Sequence, residues 1–266
     1  MSPELILLAL VVVTALAFDF TNGFHDTANA MAASIATKAL TPKTAVVLCA
    51  SLNLVGALLS VEVALTVTNA VINLQNPDGT PRAELLADGG DKLLLILLAG
   101  LAGAIIWNLA TWLWGLPSSS SHALFGGLIG ATMAGLGWGG VKWVGDGTKL
   151  DGVVGKVIIP GFMSPAIAMI VAMVGTHFVF KVAASLSERY RRSGFRWGQV
   201  GAASLMSISH GTNDAQKTMG VIFLALVASS AIDPSADIPF WVKLSCAGAI
   251  VLGTYLGGWR IIRTLG

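Results

Sequence analysis

The sequence predicts an all-α integral membrane protein, on the grounds of its composition and the length of its apolar segments. Hydrophobic residues make up 55% of the 266 positions and charged residues only 11%, too few for a water-soluble surface of ordinary charge density. The apolar segments run for roughly 20 residues, the length at which a helix crosses a hydrocarbon core, and they lack the alternation of barrel strands. We therefore expect membrane lipid around the chain. The net charge of +2 does not indicate a nucleic-acid partner.

Seven apolar segments are expected to cross the membrane. The first and sixth are too long for one straight span and carry polar residues near their middle, while the fourth is short and follows a run of serines. The segments are Leu5–Ala36, Thr44–Val67, Leu93–Trp114, Ala123–Leu136, Ile158–Phe180, Gly198–Ala228 and Trp241–Ile262.

Loop charges predict the orientation, because short cytoplasmic loops are enriched in lysine and arginine. Five basic residues against the single acid Glu188 place residues 181–197 in the cytoplasm as a loop. They are Lys181, Arg189, Arg191, Arg192 and Arg196. Counting the spans from there puts the N-terminus outside a plasma membrane. The acidic segment with Asp78 and Glu84, and the one with Asp233 and Asp237, then face the exterior.

Two polar motifs interrupt the first and sixth segments. Residues 23–31 read Gly-Phe-His-Asp-Thr-Ala-Asn-Ala-Met, and residues 211–219 read Gly-Thr-Asn-Asp-Ala-Gln-Lys-Thr-Met. Each motif puts an aspartate, Asp26 or Asp214, near the middle of the bilayer, where an unpaired carboxylate costs at least ~2.5–3.5 kcal/mol. Each glycine is expected to break its helix and free backbone groups for ion coordination. One such break could be structural, but two equivalent ones favour a shared site.

The two copies are expected to be inverted, because the loop charges make their segments cross the membrane in opposite directions. Inverted repeats with broken helices that meet at the midplane are typical of secondary transporters with alternating access. On this interpretation residues 1–180 form the first repeat, with about five spans. Residues 181–197 form the cytoplasmic loop, and residues 198–266 begin a second repeat with about two spans.

A third motif, Pro117-Ser118-Ser119-Ser120-Ser121-His122, precedes the fourth segment. A proline and hydroxyls at a helix start present N–H groups, a positive dipole end and O–H donors, which suits an oxyanion. An ordinary N-cap is the alternative, but four hydroxyls exceed what a cap needs.

The three motifs resemble those of the inorganic phosphate transporter (PiT) family, whose signature is similar to Gly-Ala-Asn-Asp-x-x-Asn-Ala in each half, with a Pro-Ser-Ser-(Ser/Thr)-(Ser/Thr)-His element. This sequence differs in having His25 in place of the usual Asn, and the serine element of the second half would fall past Gly266. We therefore expect the chain to lack the C-terminal part of the second repeat. Transport by these 266 residues alone is in question for that reason.

The resemblance implies symport of inorganic phosphate, alone or as a metal–phosphate complex, with protons or sodium. It implies no organic cofactor and no metal site other than a possible sodium site at the coupling-ion residues. The oligomeric state stays open, and a homodimer is one possibility. The implied phosphate ligands are Ser118, Ser119, Ser120, Ser121 and Thr212. The implied coupling-ion ligands are Asn22, His25, Asp26, Asn29, Asn213 and Asp214. His25 could coordinate as a neutral imidazole, take up a proton, or simply form a hydrogen bond across the helix break.

Other functions remain open to different degrees. A permease for sulfate or another tetrahedral oxyanion would use the same groups. A passive channel is disfavoured, because channels need a continuous pore ring. An intramembrane serine hydrolase is disfavoured, because Ser118 to Ser121 and His122 are sequence neighbours that we do not expect to face each other. We therefore predict a transporter and not an enzyme.

Overall fold

The computed structural model describes residues 3–59, 71–73, 85, 90–145 and 150–257, and seven long α-helices account for most of them. They are α1 (Pro3–Ala36), α2 (Pro42–Leu59), α3 (Asp91–Trp114), α4 (Ser120–Leu136), α5 (Ile159–Ala184), α6 (Glu188–Ala228) and α7 (Phe240–Gly257). A π-helical turn, Val154–Ile158, leads into α5. Within the described ranges there is no strand, only an isolated bridge between Ile72 and Val141. The predicted all-α fold is confirmed.

Each of the seven predicted spans coincides with a helix. Four helical segments are long and apolar enough to cross a membrane, namely α1, α2, α3 and the segment Val154–Ala184, and α7 holds a shorter apolar stretch, Phe240–Leu256. The predicted ends at Val67 and Ile262 lie outside the described residues, as do Asp78 and Glu84 of the acidic segment. The chain is therefore a membrane protein whose polar groups must be satisfied between helices.

The helix breaks expected at Gly23 and Gly211 are wrong. Both α1 and α6 run as continuous α-helices through the motifs. The glycines serve close packing instead, because a β-carbon at Gly23 would lie 2.2 Å from the Ile250 carbonyl oxygen, and one at Gly211 would lie 2.2 Å from the Asn53 carbonyl oxygen. Small residues let membrane helices approach backbone to backbone in this way.

The same packing recurs from the other side of each interface. A β-carbon at Gly253 would lie 2.0 Å from the Phe20 carbonyl oxygen, and one at Gly56 would lie 2.2 Å from the Ile208 carbonyl oxygen. Thus α1 packs on α7 and α2 packs on α6, each through a pair of glycines. The predicted inverted repeat relates α1 to α6 and α2 to α7. The contact of α1 with α7 is therefore the counterpart of the contact of α6 with α2.

Contacts between α1 and α6 show that the two helices are antiparallel. Asp19 meets Thr218, whereas Asp26, two turns later on α1, meets His210, which lies two turns earlier on α6. An antiparallel pair is the arrangement that inverted repeats require of equivalent helices. The inverted repeat itself stays an interpretation of these contacts.

The basic segment is another correction, because residues 181–197 are almost entirely helical. Helix α5 ends at Ala184 and α6 begins at Glu188. Glu188 in the first turn suits the positive end of the helix dipole, and it pairs with Arg191 at 3.2 Å, an i,i+3 contact that supports the helix. At 41 residues, α6 is about 60 Å long, so its basic end extends beyond a membrane core of about 30 Å.

Helix α5 differs from the others in its exposure. Only Ala183 is buried along Ile159–Ala184, whereas α1, α3 and α6 bury many side chains in a common apolar core. The site described below lies among α1, α4 and α6, on the packed side of the molecule.

Candidate functional site

A cavity of about 490 Å³ lies where α1, α6 and the start of α4 converge. This volume is in the range of small-ligand sites. Its lining brings together residues from all three sequence motifs, which are distant in the chain. The lining residues are Asp26, Asn29, Ala30, Pro117, Ser118, Ser119, Ser121, Met206, His210 and Asp214.

Asp26, Asp214 and His210 form a compact cluster on one wall. The His210 Nε2 atom lies 3.1 Å from Asp214 Oδ2 and 3.7 Å from Asp26 Oδ2. One ligand atom from each residue lies within 4.8 Å of the other two, a spacing that could hold a metal ion. The cluster joins the first motif to the second, as the repeated aspartates predicted.

The other ring nitrogen of His210 fixes its tautomer. Nδ1 lies 3.2 Å from Asn53 Oδ1, and the Asn53 amide nitrogen donates to Thr254 Oγ1 at 3.0 Å. Asn53 Oδ1 can therefore only accept, so Nδ1 carries the proton and donates. In a neutral imidazole, Nε2 then presents a lone pair toward two carboxylates. The Lys217 ammonium pairs with Oδ1 of Asp214, but Asp26, Oδ2 of Asp214 and this lone pair still repel one another unless a cation or a proton lies among them.

Lys217 connects this cluster to the serines. Its Nζ contacts both Asp214 Oδ1 and Ser121 Oγ, and Ser121 Oγ itself lies 3.4 Å from Asp214 Oδ1. Lys217 is the residue that replaces the second Asn of the motif. The contact with Asp214 is an ion pair, so Lys217 offsets the carboxylate charge next to Ser121 and lowers the repulsion that an anion would meet there.

The serines occupy the N-terminal end of α4. Ser119 is the N-cap, with its side chain accepting the His122 backbone N–H at 3.3 Å. Ser118 Oγ accepts from Trp107 Nε1 at 3.2 Å. The capping alternative is thus correct for Ser119, whose hydroxyl nevertheless lines the cavity together with Ser118 and Ser121.

One contact contradicts the sequence reasoning. Ser119 Oγ lies 2.9 Å from His122 Nδ1, although these neighbours were not expected to face each other. Residues at i and i+3 do meet on the first turn of a helix. His122 forms no ion pair with a carboxylate of the described residues, so the third group of a nucleophilic triad is absent there.

Several predicted ligands lie away from the cavity. Thr212 donates to the Ile208 and Gly56 carbonyls and so serves the contact between α2 and α6. Asn213 is exposed and donates to Ser209 O of its own helix. Ser120 and Asn22 are buried, each with a side-chain oxygen that has no hydrogen-bond partner in the described part of the chain. Their assignment as ligands stays a prediction without geometric support.

His25 is fully buried behind Asp26. Its Nε2 forms a 2.9 Å hydrogen bond with Thr111 Oγ1 on α3, and its Nδ1 lies 3.5 Å from Asp26 Oδ1. Asn29 donates to the same carboxylate oxygen at 3.2 Å. The hydrogen bond that the simpler interpretation predicted for His25 exists, but it runs between α1 and α3 and not across a break.

His210 and Lys217 are the two site residues that sequence reasoning missed. Lys217 lies inside the quoted second motif, and His210 immediately precedes it. A basic residue in an apolar segment was the available signal, because such residues rarely face lipid. His210 immediately precedes the second motif as Asn22 immediately precedes the first.

Several known proteins are similar to this chain over most of its length. A model of the Phosphate transporter family matches residues 22–266. Over its whole length the chain is 54% identical to a probable low-affinity inorganic phosphate transporter of Mycobacterium tuberculosis (strain ATCC 25618 / H37Rv), of which it covers 59%. It is 41% identical to a protein of the same description from Bacillus subtilis (strain 168), over 98% of this chain and 72% of that one.

A solved structure described as the sodium-dependent phosphate transporter is similar in fold. The TM-score is 0.71 at 20% sequence identity, over 98% of this chain and 78% of that chain.

Proposed function

Because this chain belongs to the phosphate transporter family, we propose that it contains the substrate and coupling-ion site of a symporter that carries inorganic phosphate across the plasma membrane. The chain spans 59% of the length of its mycobacterial relative. That a protein containing this chain carries out a complete transport cycle is therefore proposed as well. The family is one of transporters, which argues against an enzyme.

The observation that carries the proposal is the composition of the cavity among α1, α4 and α6. Its two aspartates attract a cation, and the serines at the helix start offer hydrogen-bond donors to an anion. A carrier that couples an anion to a cation needs both sets of groups in reach of one another. The antiparallel contact of α1 and α6 supports inverted repeats around this cavity, as alternating access requires.

The anion would bind near Ser118, Ser119 and Ser121. The first N–H groups of a helix have no partner within that helix, and their dipole end is positive. Lys217 pairs with Asp214 and also contacts Ser121, so its charge offsets the Asp214 carboxylate that would otherwise repel an anion at the serines. Phosphate oxygens accept hydrogen bonds from such donors. Sulfate would accept them as well, so competition by sulfate belongs in the test.

The cation would bind among Asp26, Asp214 and His210. An imidazole nitrogen with carboxylate oxygens is a donor set typical of a divalent transition metal, which favours phosphate entering as a metal–phosphate complex. Sodium would use the oxygen atoms of Asp26, Asp214 and Ser121. A proton on Nε2 of His210 would remove the repulsion with no metal at all.

Uptake into proteoliposomes tests this proposal. Labelled phosphate should accumulate when a sodium gradient, a proton gradient or a divalent metal is supplied, and the effective condition identifies the cation. Asp26→Asn and Asp214→Asn should each abolish uptake, whereas the exposed Asp237→Asn should retain it. Excess unlabelled phosphate should compete better than sulfate. Wild-type uptake by Asp214→Asn, or stronger competition by sulfate, would contradict the proposed site or the proposed substrate, respectively.

A further inference from the structure

Asp19 is a buried carboxyl group that the proposed site does not use. It lies on α1, two turns before Asp26, and none of its surface is accessible. Its Oδ1 accepts a 2.5 Å hydrogen bond from Thr218 Oγ1 on α6. Its Oδ2 has no hydrogen-bond partner in the described part of the chain. A carboxyl group inside the apolar core of a membrane protein must pair with a cation or stay neutral.

The Asp19 carboxyl lacks a cationic partner among the described residues. Among the described residues, no lysine, arginine or histidine nitrogen is in ion-pair contact with the Asp19 carboxyl. On α6, Asp214 and His210 act on it through charge, and these two have opposite signs when ionised. On α7, the buried Cys246 thiol interacts with it. Lys217, although adjacent to Thr218, directs its ammonium group to Asp214 and Ser121.

A sodium ion fits this environment poorly. Hard cations require several oxygen ligands, and around Asp19 one side is taken by the Thr218 hydroxyl and another by a thiol. The unpartnered Oδ2 is where the proton of a neutral carboxylic acid would reside. A neutral acid also explains how an unpaired aspartate is tolerated at this depth.

We propose that Asp19 is a proton-binding site that holds one proton in the conformation described here. The carboxylate takes up a proton from water to form the acid, and the same O–H bond breaks when the proton is released. Thr218 connects Asp19 to α6 one turn beyond Asp214, so release of the proton would place a negative charge between α1, α6 and α7. This step rests on the proposed function: in a symporter, release of the proton from Asp19 would couple proton movement to a rearrangement of these helices.

Infrared spectroscopy of the purified chain in lipid tests the proposal without transport or phosphate. A protonated carboxylic acid has a carbonyl stretch separate from carboxylate and amide bands. The wild-type protein at neutral pH should show this band, shifted to lower frequency in heavy water. Asp19→Asn should lose it, whereas the exposed Asp237→Asn should keep it. Thr218→Val removes the donor to Oδ1 and should shift the band without abolishing it.

Three results would overturn the assignment: a band that survives in Asp19→Asn, a wild-type protein with no such band at neutral pH, or loss of the band on saturation with sodium. If Asp19→Asn does not fold, an unshifted band in Thr218→Val contradicts the proposal on its own. Failure of phosphate uptake with the band intact would count against the proposed function alone.

Discussion

His210 lies where the charges of the two motifs meet, and its tautomer decides what the cavity can bind. Asn53 holds Nδ1 as a donor, so Nε2 is the atom available to a cation, as in metal sites where an outer residue orients the histidine. His25, by contrast, is occupied by Thr111 and is fully buried. The two histidines therefore form a matched pair for mutagenesis.

His210→Asn should weaken cation binding at least about tenfold, the lower end of effects seen even for residues that only orient a ligand. His25→Asn should change cation binding less, because His25 contacts the cluster only through Asp26. Isothermal titration of the purified variants with manganese and with sodium measures both. Equal losses in the two variants would mean that His210 is not a ligand, and a loss confined to manganese would favour the metal–phosphate complex.

Of the ligands predicted from the sequence, Asp26, Asn29, Asp214 and three of the four serines line the cavity, because residue types that are costly in a membrane are informative by themselves. It could not identify which neighbours share the cavity. Thr212 and Asn213 come just before Asp214 in the sequence, yet on the helix Thr212 faces α2 and Asn213 is exposed. His210 reaches the cavity because it lies one helical turn before Asp214, and that spacing has meaning only if the helix is unbroken.

At the scale of the helices, glycine has the opposite role from the one that the sequence suggested. A glycine inside a membrane helix permits either a break in the helix or a close contact with another helix. The sequence around the glycine does not distinguish the two. Only the partner helix distinguishes them, and for Gly211 that partner is the Asn53 backbone on α2. The seven helices were predictable because span length is set by the bilayer. The packing of α1 on α7 and α2 on α6 was not.

Gly211→Ala should destabilise the fold by about 1–3 kcal/mol, the usual cost of overpacking, because the new methyl group would overlap the Asn53 carbonyl. Gly175→Ala on the exposed helix α5 is the matched control, since nothing lies within 4 Å of its β-carbon position. Alanine favours a helix over glycine by about 1 kcal/mol, so the control should be neutral or more stable. Thermal unfolding in detergent compares the two. A Gly211→Ala protein as stable as the control would contradict the close packing.

At the scale of the whole molecule, orientation in the membrane follows from the basic end of α6. The five basic residues remain the strongest signal, although four of them lie on α6 and Lys181 lies in the last turn of α5. The segment between α6 and α7, which carries Asp233 and Asp237, lies at the opposite end of α6. The two ends should therefore be on opposite sides of the membrane.

Cysteine labelling in intact cells tests the orientation. Cys49 and Cys246 are buried, so the background should be low. Ala236→Cys should react with an impermeant thiol reagent added outside, whereas Ser193→Cys should react only after the cells are permeabilised. The reverse pattern would place the N-terminus in the cytoplasm and invert the predicted topology.

The central claim is that one cavity binds phosphate and a cation together, and equilibrium binding of labelled phosphate to the purified chain tests it most directly. Binding should require the cation, and the double variant Ser119→Ala/Ser121→Ala should weaken it at least about tenfold, since hydrogen bonds to a charged group contribute about 1.5–3 kcal/mol. Ser51→Ala, at an exposed serine that bonds only to its own helix, should bind as the wild type does. Phosphate binding that is independent of the cation, or unchanged in the double variant, would contradict the account.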